Sequence, residues 1–386
     1  MEFELNASQL ELVATVRAFG EHYFSDTNVK QWQHDQGLPD EVVRDFVNLD
    51  FKEFAVVHRR NHVNYDLFEQ TLVIEELARV SGATLSFQND LLNLQIMEKF
   101  AGSGQFEFVR SQYQKTGRLA FALAISEPTG GSDLLHMQTT TRSVGGRLLI
   151  NGAKCFVNNG EYAPYLLVAA IDGDRVSTKK YPPVSFWFVP RDLPGITILP
   201  VPKIGQSMLP FADVSFDNVE LDASYRLQDN EAGFPQLFHL FEIGRLLTCS
   251  VALGLAQAAM EDAVRYAGHR EAFGEKISSF QQIGEMLTDM EVKLFNMRHF
   301  VYRVAQELND GGSHRLEVSL MKRYVPAAAT EVASDAMQIL GGRGYTTAER
   351  VSSIWQDCRG FQMAEGTDQI MVHIATPLLM QKYGAR

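Results

Sequence analysis

The chain has 386 residues, which is too long for one ordinary compact domain and predicts two or three. With 45% hydrophobic and 21% charged residues, it has the composition of a globular protein that can bury a large core. The 47 acidic and 35 basic residues give a net charge of -12, which argues against nucleic acid or an anionic membrane as a general partner.

Residues 1–119 carry the period of amphipathic helices and predict an N-terminal α-helical domain. Leu10, Val13 and Val16 fall at three-residue steps, and the stretch DLFEQTLVIEELARV repeats the helical pattern. The first residues lack the basic and apolar regions of a signal peptide. No apolar run approaches membrane-spanning length, so the expected location is the cytoplasm.

Residues 120–228 consist of short β-prone stretches separated by proline and glycine. YLLVAAID, VSFWFVP and ADVSFDNVEL are typical of strands, and Asn151-Gly152 between two such runs predicts a hairpin turn. No long helical pattern intervenes. This middle domain is therefore expected to be a small antiparallel β-barrel or sandwich.

Residues 229–386 return to helices, in longer segments. A helical step persists from Ile277 to Met297, and Pro326 predicts a kink or break in the next long helix. A final helix follows near the C-terminus. Antiparallel helices of this length predict a C-terminal bundle, so the fold class is mostly α with a central β domain.

Several common site types are missing from the sequence. His136 has no partner at ligand spacing, so no metal is expected. A dinucleotide fingerprint begins at Gly102 and Gly104 but lacks its third glycine and a preceding strand. The cysteines are widely spaced and odd in number, which argues against a zinc site and a disulfide framework. They are Cys155, Cys249 and Cys358.

Four stretches carry glycines and polar groups where a ligand can be held. They are ALAISEPTGGSD, HREAFGEKISSFQ, QILGGRGY and FQMAEGTDQIM. The glycine turn of the first can present backbone N–H groups to a phosphate or a ring edge. In the second, Arg270 and Phe273 are expected on one face of a helix end, where they suit a pyrophosphate and a ring. Taken singly, each stretch is more simply an ordinary loop or helix end.

Together, these stretches resemble the acyl-CoA dehydrogenases in order and spacing. The matching segments are ISEPTGGSD, INGAKCFVNNG, REAFGEKISSFQ, MQILGGRGYT and AEGTDQI, and the resemblance covers essentially the whole chain. It implies an N-terminal α domain, a middle β-barrel and a C-terminal four-helix bundle. It also implies FAD as cofactor, a homotetramer built as a dimer of dimers, an acyl-CoA substrate and electron-transferring flavoprotein as electron partner.

The resemblance further implies roles for single residues. Those beside the flavin ring are Leu123, Ile125, Ser126, Phe156 and Asn158. Those that reach the FAD of a neighbouring subunit are Arg270, Phe273, Gln281, Gln338 and Gly342. Those at the adenosine pyrophosphate end are Thr367 and Gln369. The implied substrate contacts are Ser132, Arg245 and Gly366.

Glu365 matches the catalytic base of the family, which takes the α proton while flavin N5 takes the β hydride. The simpler interpretation is a solvated loop acid before a helix capped by Thr367. A base for this proton needs a pKa raised toward neutrality, which an apolar surround such as Phe361, Met363 and Ala364 provides. Some relatives place the base just before the family arginine, where this chain has Gly244, so Glu365 is the expected acid.

The chain departs from the family pattern in several places. Residues 51–65 lack the usual glycine-rich loop and carry basic residues instead: His58, Arg59, Arg60 and His62. Phe156 replaces a Trp and Asn158 replaces a hydroxyl beside the ring, and Ala364 replaces an aromatic residue before the base. The acyl group is not predicted by the sequence.

Alternatives to acyl-CoA dehydrogenation remain open on sequence grounds. The same scaffold can run as an enoyl-CoA reductase, as an acyl-CoA oxidase, or on a carrier-protein thioester. A helical scaffold without activity is a further alternative, against which Glu365 and the flavin motifs argue.

Overall fold

The structure, a computed structural model, describes residues 4–49, 66–174, 182–227, 233–311 and 313–384, without the side chains of residues 233–240. The basic cluster from His58 to His62 lies outside the described residues. The boundaries of the three-domain division at 119/120 and 228/229 stay predictions.

The N-terminal part is helical, as predicted. Its helices are α1 (Ala7–Tyr23), α2 (Asp26–His34), α3 (Asp40–Asn48), α4 (Leu67–Ser81), α5 (Phe87–Phe100) and α6 (Ser103–Thr116). Asp66 starts α4 by accepting hydrogen bonds from the backbone N–H groups of Phe68 and Glu69. Gly82 ends it in the left-handed conformation. Most residues of α4 and α5 are buried, because these two helices pack against the helices of the C-terminal part.

Seven described strands make one sheet in the middle of the chain. They are β1 (Phe121–Ala124), β2 (Thr140–Val144), β3 (Arg147–Asn158), β4 (Tyr165–Asp172), β5 (Val184–Pro190), β6 (Ile196–Val201) and β7 (Phe211–Leu221). The order is β1-β4-β2-β3-β7-β6, and β5 pairs with β4. No described helix longer than one turn interrupts it, as the absence of a helical period predicts.

Two features of this sheet differ from the sequence prediction. β1 and β2 both pair with β4 in parallel, whereas the sequence predicts an antiparallel domain. β1 pairs with the first residues of β4 and β2 with its last residues. The expected turn at Asn151-Gly152 is also wrong, since β3 continues through it and the β2–β3 turn contains Gly145 and Gly146. Gly152 instead allows a close approach: a Cβ there would lie 2.5 Å from Thr139 Oγ1.

The C-terminal part contains the long helices that the sequence predicts. They are α7 (Gly233–His269), α8 (Gln281–Asn309), α9 (Arg315–Leu340), α10 (Val351–Phe361) and α11 (Asp368–Gly384). A two-stranded hairpin of β8 (Glu271–Ala272) and β9 (Glu275–Lys276) lies between α7 and α8. α9 is continuous through Pro326, so a break there is wrong, while a kink at Pro326 stays a prediction.

Helix α7 is apolar enough over Phe241–His269 to cross a membrane by length and composition. It is not an uninterrupted apolar run, because Glu242, Arg245, Glu261 and Asp262 lie within it. Of its apolar window, 78% is buried inside the protein, which is the behaviour of a core helix.

Asp357 of α10 joins all three parts of the chain. Its buried carboxylate accepts hydrogen bonds from the backbone N–H of Thr84, which follows α4, at 2.9 Å and from that of Gln206, which precedes β7. Because both donors belong to loops, this carboxylate fixes the loop after α4 and the loop before β7 relative to α10.

Candidate active site

Glu365 lies in the short turn between α10 and α11. Its φ is 53° and that of Gly366 is 95°, so two consecutive residues occupy the left-handed region. For a residue with a side chain this conformation costs about 1–2 kcal/mol. Thr367 then starts α11, because its hydroxyl accepts a hydrogen bond from Ile370 N at 3.2 Å. The expected helix cap at Thr367 is therefore present.

Two cationic side chains hold the backbone of this turn. Arg245 Nε of α7 donates to the carbonyl oxygen of Glu365 at 3.0 Å. Lys322 Nζ of α9 donates to the carbonyl oxygens of Phe361 at 2.6 Å and Gly366 at 3.2 Å. The strained conformation is thus fixed from both neighbouring helices.

The Glu365 side chain points at Gly244 of α7. A Cβ added at Gly244 would lie 2.9 Å from Glu365 Oε2 and 2.8 Å from Leu92 Cδ2 of α5. Glu365 as a whole is half-buried, but Oε2 is buried and no described residue gives it a hydrogen-bond partner. The carboxylate therefore occupies space that any larger residue at position 244 would take.

Burial raises the pKa of Glu365, and the charges of Arg245 and Lys322 only partly oppose this. The interpretation of Glu365 as a solvated loop acid is therefore wrong. A buried carboxylate with an open hydrogen-bonding position and a raised pKa can accept a proton from a weak carbon acid. Of the apolar residues expected around it, Phe361 is buried but Met363 and Ala364 are exposed. The carboxylate instead lies beside Gly244 and Leu92, neither of which is close to Glu365 in sequence.

Sequence reasoning missed Lys322. It is fully buried, and burial lowers its pKa while Cys249, Asp368 and Glu365 oppose the shift. The sequence contained a signal, because Lys322 lies within the apolar stripe formed by Val318, Met321, Val325 and Ala329. A lysine at a core position of a helix has to find its partners inside the protein.

The residues expected beside a flavin ring lie at the end of β1 and on β3, which are joined where Cys155 N of β3 donates to the Ser126 carbonyl at 2.9 Å. β1 carries Leu123, and Ile125 and Ser126 follow its end. Lys154 of β3 donates from its buried ammonium to the Ile125 carbonyl at 3.0 Å and to Glu127 Oε1 at 2.8 Å. This buried ion pair, which sequence reasoning also missed, fixes the chain after β1 against β3.

Phe156 lies further along β3, at a bulge in its pairing with β7, and Asn158 lies just beyond the bulge, opposite Phe211. Phe156 has a φ of 56° and is 59% exposed, so its ring faces outward from the sheet. Asn158 Oδ1 is buried, and within the described residues it has no hydrogen-bond partner. The exposed Phe156 ring can pack against a planar heterocycle, and Asn158 Oδ1 can accept a hydrogen bond from it, so the pair fits a flavin.

The other expected FAD contacts are exposed and distant from Glu365 in the same chain. Arg270 and Phe273 are not on a helix face as expected, because α7 ends at His269 and both belong to the hairpin. Phe273 is 98% exposed at the hairpin tip. Gln338 is sixteen residues beyond Lys322 on α9, about 24 Å at 1.5 Å per residue. The remaining exposed members of this set are Gln281 and Gly342.

The remaining expected contacts are placed as follows. Ser132 is exposed in the loop between β1 and β2, and Gln369 is exposed in the first turn of α11. Arg245 reaches the Glu365 carbonyl, and Gly366 follows the base directly. Among the described residues no group of three His, Cys, Asp or Glu side chains could hold a metal ion.

Three family models match consecutive parts of the chain. They are the N-terminal, middle and C-terminal domains of acyl-CoA dehydrogenase, at residues 6–107, 122–219 and 231–377. The probable acyl-CoA dehydrogenase YdiO of Escherichia coli K12 is 33% identical over 383 residues, 99% of both chains.

Solved structures give the same result. The acyl-CoA dehydrogenase from Slackia heliotrinireducens is 57% identical, with a TM-score of 0.93 and 100% of both chains covered. That from Geobacillus kaustophilus is 26% identical, with a TM-score of 0.86, over 98% of this chain and 100% of the other.

Proposed function

Because the chain belongs to the acyl-CoA dehydrogenase family, and is therefore a flavin-dependent oxidoreductase, we propose that it converts an acyl-CoA to the trans-2-enoyl-CoA with Glu365 as base. The observation that carries this proposal is the buried Oε2 of Glu365, which lies beside Gly244 and has no hydrogen-bond partner among the described residues. A thioester entering beside it would supply the α proton that this oxygen accepts.

The turn itself would activate the substrate. An α proton becomes acidic only when the thioester carbonyl is polarised, and a backbone N–H donor aimed at the developing oxyanion contributes about 3 kcal/mol. The N–H of Glu365 is proposed as such a donor, since Arg245 and Lys322 fix the carbonyls of residues 365 and 366. Gly366, at φ 95°, permits the required backbone direction.

FAD would bind along the residues after β1 and on β3. Ser126, Phe156 and Asn158 would contact its ring, with Leu123 and Ile125 in the supporting strand. When bound, FAD supplies the acceptor for the hydride that leaves the β carbon. Thr367 and Gln369 are proposed for its pyrophosphate end; the Thr367 hydroxyl already caps α11.

The exposed set around Arg270 and Phe273 supports an oligomer. Arg270 and Phe273 follow the far end of α7 from Arg245, and Gln338 is about 24 Å along α9 from Lys322, so we assign them to the FAD of a neighbouring subunit. A homotetramer, a cytoplasmic location and electron-transferring flavoprotein as electron partner belong to the same proposal.

An anaerobic titration tests the function. The FAD-loaded protein is mixed with acyl-CoAs of varied length and branching while flavin absorbance is followed, and the product is identified by mass spectrometry. At least one acyl-CoA is expected to bleach the flavin and yield the 2-enoyl thioester. Retained FAD with no bleaching by any thioester would contradict the proposal, and peroxide release in air would instead indicate an oxidase.

A further inference from the structure

Lys322 binds both ends of the turn that carries Glu365. Its ammonium donates to the Phe361 carbonyl, at the end of α10, and to the Gly366 carbonyl, directly after the base. Within the segment itself, Met363 N and Ala364 N both donate to the Gly360 carbonyl. Gln362 and Asp368 also pair across the turn, because Asp368 N donates to the Gln362 carbonyl at 3.1 Å and Gln362 Nε2 donates to Asp368 Oδ2 at 2.9 Å. Lys322 differs from this pair because it lies outside the turn, on α9, and holds one backbone carbonyl on each side of Glu365.

The left-handed conformation of Glu365 needs such an anchor. A Glu has no intrinsic preference for a φ of 53°, so the surrounding contacts must hold it there. Arg245 fixes the carbonyl of residue 365 from α7. If the Gly366 carbonyl were released on the other side, the peptide between these residues could rotate, and the carboxylate would leave its place on Gly244.

Among the described residues, the Lys322 ammonium is buried beside backbone carbonyls and not beside a carboxylate. A buried ammonium is costly unless it is paired, and no described carboxylate lies within salt-bridge distance of Nζ. Its hydrogen-bond acceptors are two backbone carbonyls. The charged and titratable groups around it are Arg245 and Cys249 of α7, Glu365 of the turn and Asp368 of α11.

We propose that Lys322 is a positioning residue for the base: by anchoring the carbonyls of Phe361 and Gly366, it holds Glu365 in the left-handed conformation that places its carboxylate on Gly244. The inference rests on the proposed role of Glu365. It assigns to Lys322 no contact with substrate or cofactor.

Three substitutions separate position from charge. Lys322→Met removes both hydrogen bonds and the charge, Lys322→Gln keeps one donor group, and Lys322→Arg keeps charge and donors. Lys293→Met is the control, since Lys293 of α8 pairs with Glu331 and Asp335 near the surface. All are compared as FAD-loaded protein at equal flavin content.

For Lys322→Met we expect flavin reduction at saturating substrate to fall by about 10²-fold, the effect of a small misplacement of a reacting group. KM should change little, and the acid limb of the pH profile should move to higher pH because a cation near Glu365 is lost. Lys322→Arg should recover part of the rate, with Lys322→Gln intermediate. Amide hydrogen exchange should rise in the peptide 361–371 of Lys322→Met and not in that of Lys293→Met.

A wild-type rate and pH profile in FAD-loaded Lys322→Met would overturn the proposal. So would a rate loss that merely follows the loss of folded protein, with unchanged exchange in residues 361–371. Should Lys322→Met not fold, the same two measurements on Lys322→Gln decide. If no acyl-CoA bleaches the wild type, the proposed function fails by itself, and the exchange measurement still tests the anchor.

Discussion

The carboxylate of Glu365 occupies the space left by the missing side chain of Gly244. The two residues are far apart in sequence, yet a Cβ at Gly244 would lie 2.9 Å from Oε2 and 3.3 Å from Cδ of Glu365. The sequence resemblance implies that some relatives carry the base on the helix that corresponds to α7. A carboxylate on α7 at position 244 would reach nearly the same region as that of Glu365.

This relationship predicts the effect of Gly244→Ala. The added methyl must displace either Glu365 or the end of Leu92, so flavin reduction should fall by about 10²-fold. FAD content should be unchanged, since the expected flavin contacts lie elsewhere. Gly104→Ala is the control, because nothing lies within 4 Å of its added Cβ. Equal activity in the two variants would contradict the geometry.

The buried pair of Lys154 and Glu127 is expected to stabilise the residues after β1. Lys154→Met leaves a buried carboxylate without its partner and should lower the free energy of unfolding by about 3–5 kcal/mol. FAD affinity should fall too, because Lys154 holds the Ile125 carbonyl. Adding Glu127→Gln should cost less than the sum of the two single changes. Additive effects in denaturant unfolding would show that the pair is not coupled.

The same pair predicts a pH dependence of stability. Burial raises the pKa of Glu127, but hydrogen bonds from Lys154 and Thr139 outweigh this and leave that pKa below the ordinary Glu value. Its contribution to stability is therefore complete above the ordinary value and is lost as pH falls through the lowered pKa. The acid loss of stability should be smaller in Glu127→Gln. Identical profiles for variant and wild type would rule this out.

The sequence predicted the helical periods, the middle sheet and the family, since these depend on local pattern and on motif order. Asp66 at the start of α4 and Thr367 at the start of α11 are local signals of the same kind. The prediction at Asn151-Gly152 failed because the glycine serves a contact with Thr139, which a local turn preference does not contain. Lys322 was missed because its partners belong to a turn about forty residues later.

Asp357 is expected to be a stability residue. Asp357→Asn keeps the shape but turns an amide N–H₂ toward a backbone N–H, so one of Thr84 N and Gln206 N loses its acceptor. The free energy of unfolding should fall by about 1–3 kcal/mol. Asp335→Asn, which weakens a half-exposed pair with Lys293, should cost under about 1 kcal/mol. A loss no larger than that of the control would show that Asp357 does not join the domains.

Arg270→Ala tests the shared cofactor site. If Arg270 serves the FAD of a neighbouring subunit, its loss should lower both FAD content and self-association, because ligand binding and assembly are linked. Sedimentation at several protein concentrations, read at the flavin wavelength, measures both. Arg265→Ala on the same exposed helix end is the control. A fully yellow protein with wild-type association after Arg270→Ala would exclude the shared site.

Glu365→Gln separates catalysis from binding. The amide keeps the shape of the side chain but cannot accept the α proton, and general-base catalysis contributes about 10²–10⁴-fold. The variant should keep FAD and bind acyl-CoA, while flavin bleaching falls by that factor. In the wild type, bleaching should rise with pH through a pKa above that of an ordinary Glu, since burial raises it and the base acts deprotonated.

Adding Gly244→Glu to that variant places a carboxylate against the same region and should restore part of the rate. Because a Cβ at 244 also meets Leu92 Cδ2 at 2.8 Å, further replacement of Leu92 by Ala should improve the recovery. Glu365→Gln with FAD retained and unchanged bleaching would remove Glu365 from the mechanism. Failure of the Gly244→Glu rescue alone would leave Glu365 as the base and show that Leu92 and the turn do not admit a carboxylate from α7.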